Sequence, residues 1–197
     1  MKNILSIDGW YFRVFSKLAN LVLLNLIFVI SIIPVVTIGP AFIALVLSLK
    51  ELKQDGTLAV FRVYSGYFKD NLKRGIILSL VELISFLIPS SLIYISLQYV
   101  PLLSTLLMIL FSFVLLLLVM FPLVYSLKRM SLKQAFHKTL EFVTVRIAYA
   151  IACFIVPVII TFISLKYSII FIFLIGIALI VYLQIHLLSK GGLLDEA

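Results

Sequence analysis

Between Leu18 and Leu49 the chain carries no Asp, Glu, Lys, Arg or His. Four more apolar runs follow, at 75–97, 102–127, 147–165 and 167–188, and the charged residues collect in short blocks between them. An α-helix needs about 20 apolar residues, rising 1.5 Å each, to cross a hydrocarbon core of about 30 Å. The last four runs each fit one crossing. The first holds 32 residues and as one helix would measure about 48 Å. The stretch "PVVTIGP" at 34–40 interrupts it. Pro34 and Pro40 lack the amide hydrogen that continues a helix, and Gly39 tolerates turn dihedrals that other residues resist. The run therefore reads as a hairpin with its turn at Pro34, Gly39 and Pro40.

The basic residues favour the same reading. They fall at Lys2, Arg13 and Lys17, at six positions from Lys50 to Arg74, and at five from Lys128 to Arg146, with Lys166 and Lys190 apart. If the first run crosses once, twelve lie on one side and four on the other. If it turns and returns, the split is fifteen to one. Lys and Arg concentrate on the cytoplasmic side of membrane proteins, which selects the second arrangement and puts both termini inside. The returning limb, 40–53, is short for a full crossing. Two outcomes follow: a shallow turn covered by protein, the preferred one, because irregular backbone at membrane depth persists where protein or a wet cavity shelters it, or a full crossing with local bilayer thinning and Lys50 and Lys53 snorkelling to the interface.

Composition agrees. Of 197 residues, 64% are hydrophobic and 12% charged, against about half and a quarter in soluble domains. The fold expected is all-α: one integral membrane domain over 1–197, with segments near 18–34, 40–53, 75–97, 102–127, 147–165 and 167–188. The net charge of +8 then follows from membrane topology, and no nucleic-acid partner is called for. A cleaved signal peptide fits poorly, since the first run starts after Asp8, Arg13 and Lys17 and exceeds a signal core in length. Cys153 is the one cysteine and reads as a small packed hydrophobe.

Three stretches between the runs mix aromatic and basic residues: 6–20, 58–75 and 131–146. Each suits a helix lying in the headgroup region. The last two run straight into a span, which fits either a weak internal repeat or convergence on one interfacial composition.

Glu82 is the one carboxylate inside a span, with Ser79 and Ser85 three residues to either side on the same helical face. An ionisable group at that depth costs on the order of 3 kcal/mol and marks a candidate site; the plainer reading is that it pairs with Arg or Lys at the cytoplasmic interface or simply stays protonated. Asn20 and Asn25 in the first run read as packing amides, or as the lining of a polar path. Pro89, Pro122 and Pro157 should kink three spans. His137 and His186 have no ligand-spaced partners. No nucleophile, metal or cofactor motif occurs, so an enzyme is not expected and no cofactor is implied.

The residues at 8–39 and 49–75 resemble the YesL-like family of bacterial membrane proteins. The resemblance rests on Asp8-Gly9 with Phe12-Arg13, on Leu24-Asn25-Leu26, on the "PVVTIG" turn at 34–39 and on Phe68-Lys69 with Asn71. Phe121-Pro122-Leu123 and Leu132 with Ala135-Phe136 also fit, whereas Pro40 stands where a small residue is expected. The family has no established activity. The resemblance implies a multi-pass protein of the bacterial plasma membrane, encoded near oligosaccharide-uptake genes, with ABC-type sugar importer subunits as partners. Importer permeases themselves carry a "Glu-Ala-Ala" helix followed by glycine. The comparable stretch here, "LKQAFHKTLEFV", lacks that glycine, so the chain does not read as one. An accessory role near sugar uptake is expected, and the alternative is a small carrier or channel acting alone or as a homo-oligomer.

Overall fold

The computed structural model describes residues 10–56, 58–99 and 101–193, and among them there are helices and no strands. Eight α-helices follow in order: α1 Trp10–Ser31, α2 Ile38–Asp55, α3 Val60–Asp70, α4 Leu72–Tyr99, α5 Pro101–Leu127, α6 Leu132–Val145, α7 Ile147–Tyr167 and α8 Ile177–Lys190. A short 3₁₀ turn (Val35–Thr37) leads into α2 and a π-turn (Ile172–Gly176) into α8. Counting α2 with its 3₁₀ turn (Val35–Asp55) and α8 with its π-turn (Ile172–Lys190), six helical segments are long and apolar enough to cross a membrane, and α3 and α6 are the short pieces between them. The protein is a multi-pass helical membrane protein. Asp8 and Gly9 of the family motif lie outside the described residues; Phe12 and Arg13 fall on the first turn of α1. The aromatic stretch at 6–20 is, from Trp10 on, the beginning of α1 rather than a separate interfacial helix.

The hairpin forms, but its turn is placed differently from expectation. Of the three residues expected there, only Pro34 sits in it; Gly39 and Pro40 are buried in the first turn of α2. Neither glycine flexibility nor a helix stop is needed at 39–40, because a helix's first-turn N–H groups have no intrahelical acceptor and proline is tolerated there. The turn is also not sheltered: Ile33, Val35 and Val36 are 75%, 71% and 61% exposed. It meets an apolar surrounding by satisfying its own polar groups. The Thr37 hydroxyl donates to the carbonyls of Ser31 and Pro34, and the Thr37 and Ile38 N–H groups donate to Pro34 O and Val35 O. The returning limb is longer than the 40–53 expected.

Helix α2 is the centre of the molecule. Ala41, Ile43, Ala44, Leu45, Val46 and Leu49 are wholly buried, under α1, α3, α4, α5 and α8. Its apolar sequence would suit lipid, yet here it is spent on other helices. At its start Gly39 and Pro40 lie against Gly75 of α4. A methyl group on Gly39 would collide with the Gly75 carbonyl oxygen, and one on Gly75 with the Pro40 nitrogen. Small residues permit helix backbones to approach this closely.

This contact has a topological consequence. Four residues separate α2 from α3, and by Gly75 the chain is back at the start of α2. The path from 60 to 75 therefore retraces α2. Lys50 and Lys53 lie at one end of α2, and Lys73 and Arg74 at the other. The hairpin tip, at 33–37, stands beside the early part of α4, with Val35 and Val36 sharing a groove with residues from Ile76 to Phe86. From Phe86, α4 continues for thirteen residues to Tyr99, about 20 Å.

Gly39→Val and Gly75→Val should each lower stability by about 1–3 kcal/mol, because backbone rather than a flexible side chain must give way. A Cβ added at Gly66 in α3 would meet nothing within 4 Å, so Gly66→Ala should be neutral or stabilising by up to about 1 kcal/mol. Thermal unfolding in detergent, followed by tryptophan fluorescence of Trp10 or by size exclusion, checks the contrast.

Candidate functional site

Polar side chains inside an apolar bundle must find partners, and a few here do so on backbone that a helix irregularity or a helix end has left open. Asn25 of α1 faces the π-turn. Its Nδ2 donates to Phe173 O (2.6 Å) and Ile172 O (3.1 Å), and its Oδ1 accepts from the Ala178 N–H (2.8 Å). The packing reading of Asn25 is therefore realised in a specific form, in which one amide completes a broken ladder on α8. Asn20 is buried on the same helix and takes part in none of these bonds. Gln184 of α8 donates to Cys153 O at 2.9 Å, and Cys153 is buried between α7 and α8. Sequence reasoning passed over Gln184, though a glutamine in an apolar run was a signal of the same kind as Asn25.

Arg74 stands one residue before Gly75. Its guanidinium donates to Lys128 O (2.8 Å) and to Tyr125 O and lies 4.2 Å from the Tyr125 ring centre. It thus closes the C-terminal end of α5, whose last carbonyls have no intrahelical donor. Ser131 and Gln134 form a reciprocal cap at the start of α6: the Gln134 N–H donates to Ser131 Oγ, and the Ser131 N–H to Gln134 Oε1.

On α3, Tyr64 is buried, and burial pushes its phenol up to about 12, opposed in part by the Ser31 hydroxyl. The Tyr67 hydroxyl donates to Glu51 at 2.7 Å, and that bond, with burial and the carboxylate's charge, raises its pKa as well. Both tyrosines tie α3 to α2.

Glu82 differs from all of these. It lies on the wall of a cavity of about 580 Å³ formed by the hairpin tip, α4 and α5. The lining is apolar apart from Ser79 and Glu82. The Gly39 N–H donates to Ser79 Oγ at 2.7 Å, so that hydroxyl caps α2 from a neighbouring helix. Glu82 Oε1 is shielded from solvent and has no hydrogen-bond partner. Of the two plainer readings, the pair with an interfacial cation is not formed: Glu82 has no ion pair among the described residues, and Arg74 is spent on α5; the protonated carboxyl is the one that stands. Ser85 does not line the cavity, so the expected strip of three polar residues reduces to Ser79 and Glu82. Pro122 of α5 forms part of the opposite wall; Pro89 and Pro157 lie inside α4 and α7, away from it. Among the described residues, no three His, Cys, Asp or Glu side chains gather as a metal site would need.

With this geometry, the chain is a multi-pass membrane protein with one acid-bearing apolar groove. The family described as "Protein of unknown function, DUF624" matches residues 21–91, which run from α1 through the hairpin and the α4 wall of the groove. The match is consistent with the YesL-like resemblance. No curated protein and no solved structure matches the chain.

Asn25→Leu removes the side-chain bonds to two carbonyls of the π-turn and to the Ala178 N–H of α8, and should destabilise by about 1–3 kcal/mol. Asn20→Leu should change stability by less than about 1 kcal/mol. Parallel thermal melts of the two variants in detergent test the difference.

Proposed function

We propose that the protein is an accessory component of a bacterial plasma membrane that docks on a sugar-uptake system through its cytoplasmic face, where both termini also lie. The observation that supports this most is the surface of α3 and α6. Phe61 is 75% exposed beside the exposed Arg62, and Phe136 is exposed between Lys133 and His137. Aromatic and arginine side chains side by side are the residues that carry binding energy at protein interfaces. The connection to oligosaccharide uptake, with ABC-type importer subunits as partners, rests on the YesL-like resemblance.

A carrier or channel acting alone is the second reading, and the half-buried Glu82, with its shielded Oε1, is the observation that favours it, since acids at membrane depth often mark substrate paths. Sugar recognition, however, needs several placed polar groups, and the groove offers Ser79, already engaged, and Glu82. Catalysis has still less to work with and is not part of the proposal.

Photoreactive residues placed at Phe61 and Phe136, activated in native membranes, should capture importer subunits, and Arg62→Glu should reduce the yield several-fold. Capture of no other membrane component, together with sugar flux by the purified protein in vesicles, would replace the accessory reading with the carrier.

A further inference from the structure

The groove around Glu82 belongs to neither docking helix, and its chemistry is unlike that of the other polar positions. Its volume, about 580 Å³, lies in the range of small-molecule sites. Its mouth is built from Val35, Val36, Leu80 and Leu83, each more than half exposed. A mouth of that composition opens towards acyl chains and not towards water. Within, Phe42 and Val119 extend the apolar wall. The single unsatisfied polar group on this wall is Glu82 Oε1, since the Ser79 hydroxyl already caps α2.

We infer that this groove is a lateral binding site for a bilayer lipid whose head donates hydrogen bonds, a hydroxyl or an amine, to the Glu82 carboxyl while its chain lies along the walls. Two properties of the site select this class. A shielded carboxyl oxygen without a donor is unfavourable, and a ligand donor removes that cost. A lipid presenting only a phosphate or an ester brings acceptors alone: these repel a charged carboxylate and engage a protonated carboxyl only through its O–H, leaving its carbonyl oxygen without a donor. The inference is independent of the partner docking on α3 and α6: either can fail while the other stands.

The test uses three diazirine-bearing probes of equal chain length, a fatty alcohol, a fatty amine and a fatty methyl ester, added to the full-length protein in nanodiscs. After photolysis, peptides covering 35–42 and 76–86 should carry the alcohol or the amine at least about tenfold over the ester. Glu82→Leu should reduce that excess to the ester level. In Glu82→Gln, which keeps the shape and the acceptor oxygen but carries no charge, alcohol labelling should persist, and loss of the amine alone shows that the amine binds as a cation paired with the carboxylate. Lipid extracted from the purified wild type should be enriched in the same head class relative to Glu82→Leu. Equal labelling by all three probes in the wild type overturns the inference and leaves only annular lipid, as does a donor excess that Glu82→Leu does not change. The wild-type comparison decides the matter even if a variant fails to fold.

Discussion

Two helices can pack backbone to backbone only where neither carries a side chain at the crossing, and the α2–α4 contact at Gly39 and Gly75 is such a place. The space there is too small for a methyl group from either side. Because of this contact α2 stands against the first turns of α4, α3 must run back along α2, and the hairpin tip arrives next to Glu82. The Gly39 N–H, left without an acceptor by its position at a helix start, reaches Ser79 across the same crossing. Packing, capping and the shape of the groove are therefore one arrangement and not three.

Three of the remaining polar side chains follow one rule. In hydrocarbon an open backbone donor or acceptor has no water to turn to, and these three close irregularities of the helices. Thr37 closes the hairpin turn, Asn25 the π-turn of α8, and Arg74 the end of α5. Seen beside these, Glu82 stands out as the shielded carboxyl that closes nothing within the chain.

Much of the architecture was legible in the sequence, because the cost of exposing charge to lipid writes itself directly into where charges are absent. The helical class, the hairpin break near Pro34 and the amphipathic character of 60–70 and 132–145 follow from that pattern. What was not legible depends on contacts between distant residues. Gly39 looked like a turn residue because a glycine between prolines in one dimension is indistinguishable from a glycine reserved for Gly75, thirty-six positions away. The expected pairing of Glu82 with a nearby cation failed because Arg74, close in sequence, is drawn to the carbonyls of α5. A shelter over the turn was inferred from its polar backbone; Thr37 does that work locally. Of the candidate polar residues, Glu82 and Ser79 share the groove, while Asn25 serves the π-turn before α8 and does not line it.

The charge pattern calls for the basic residues on one side, and the α2–α4 contact puts Arg74 near the hairpin tip. Both hold together if the tip enters the membrane beside α4 without reaching the far face. Cysteine accessibility tests this most directly, in a Cys153→Ala background, with a membrane-impermeant maleimide applied to intact cells and to inverted vesicles. Lys73→Cys should react only in inverted vesicles, Gln98→Cys only in intact cells, and Val35→Cys in neither until detergent is added. Reaction of Val35→Cys from the same side as Gln98→Cys would mean that the hairpin crosses completely, and would contradict the account.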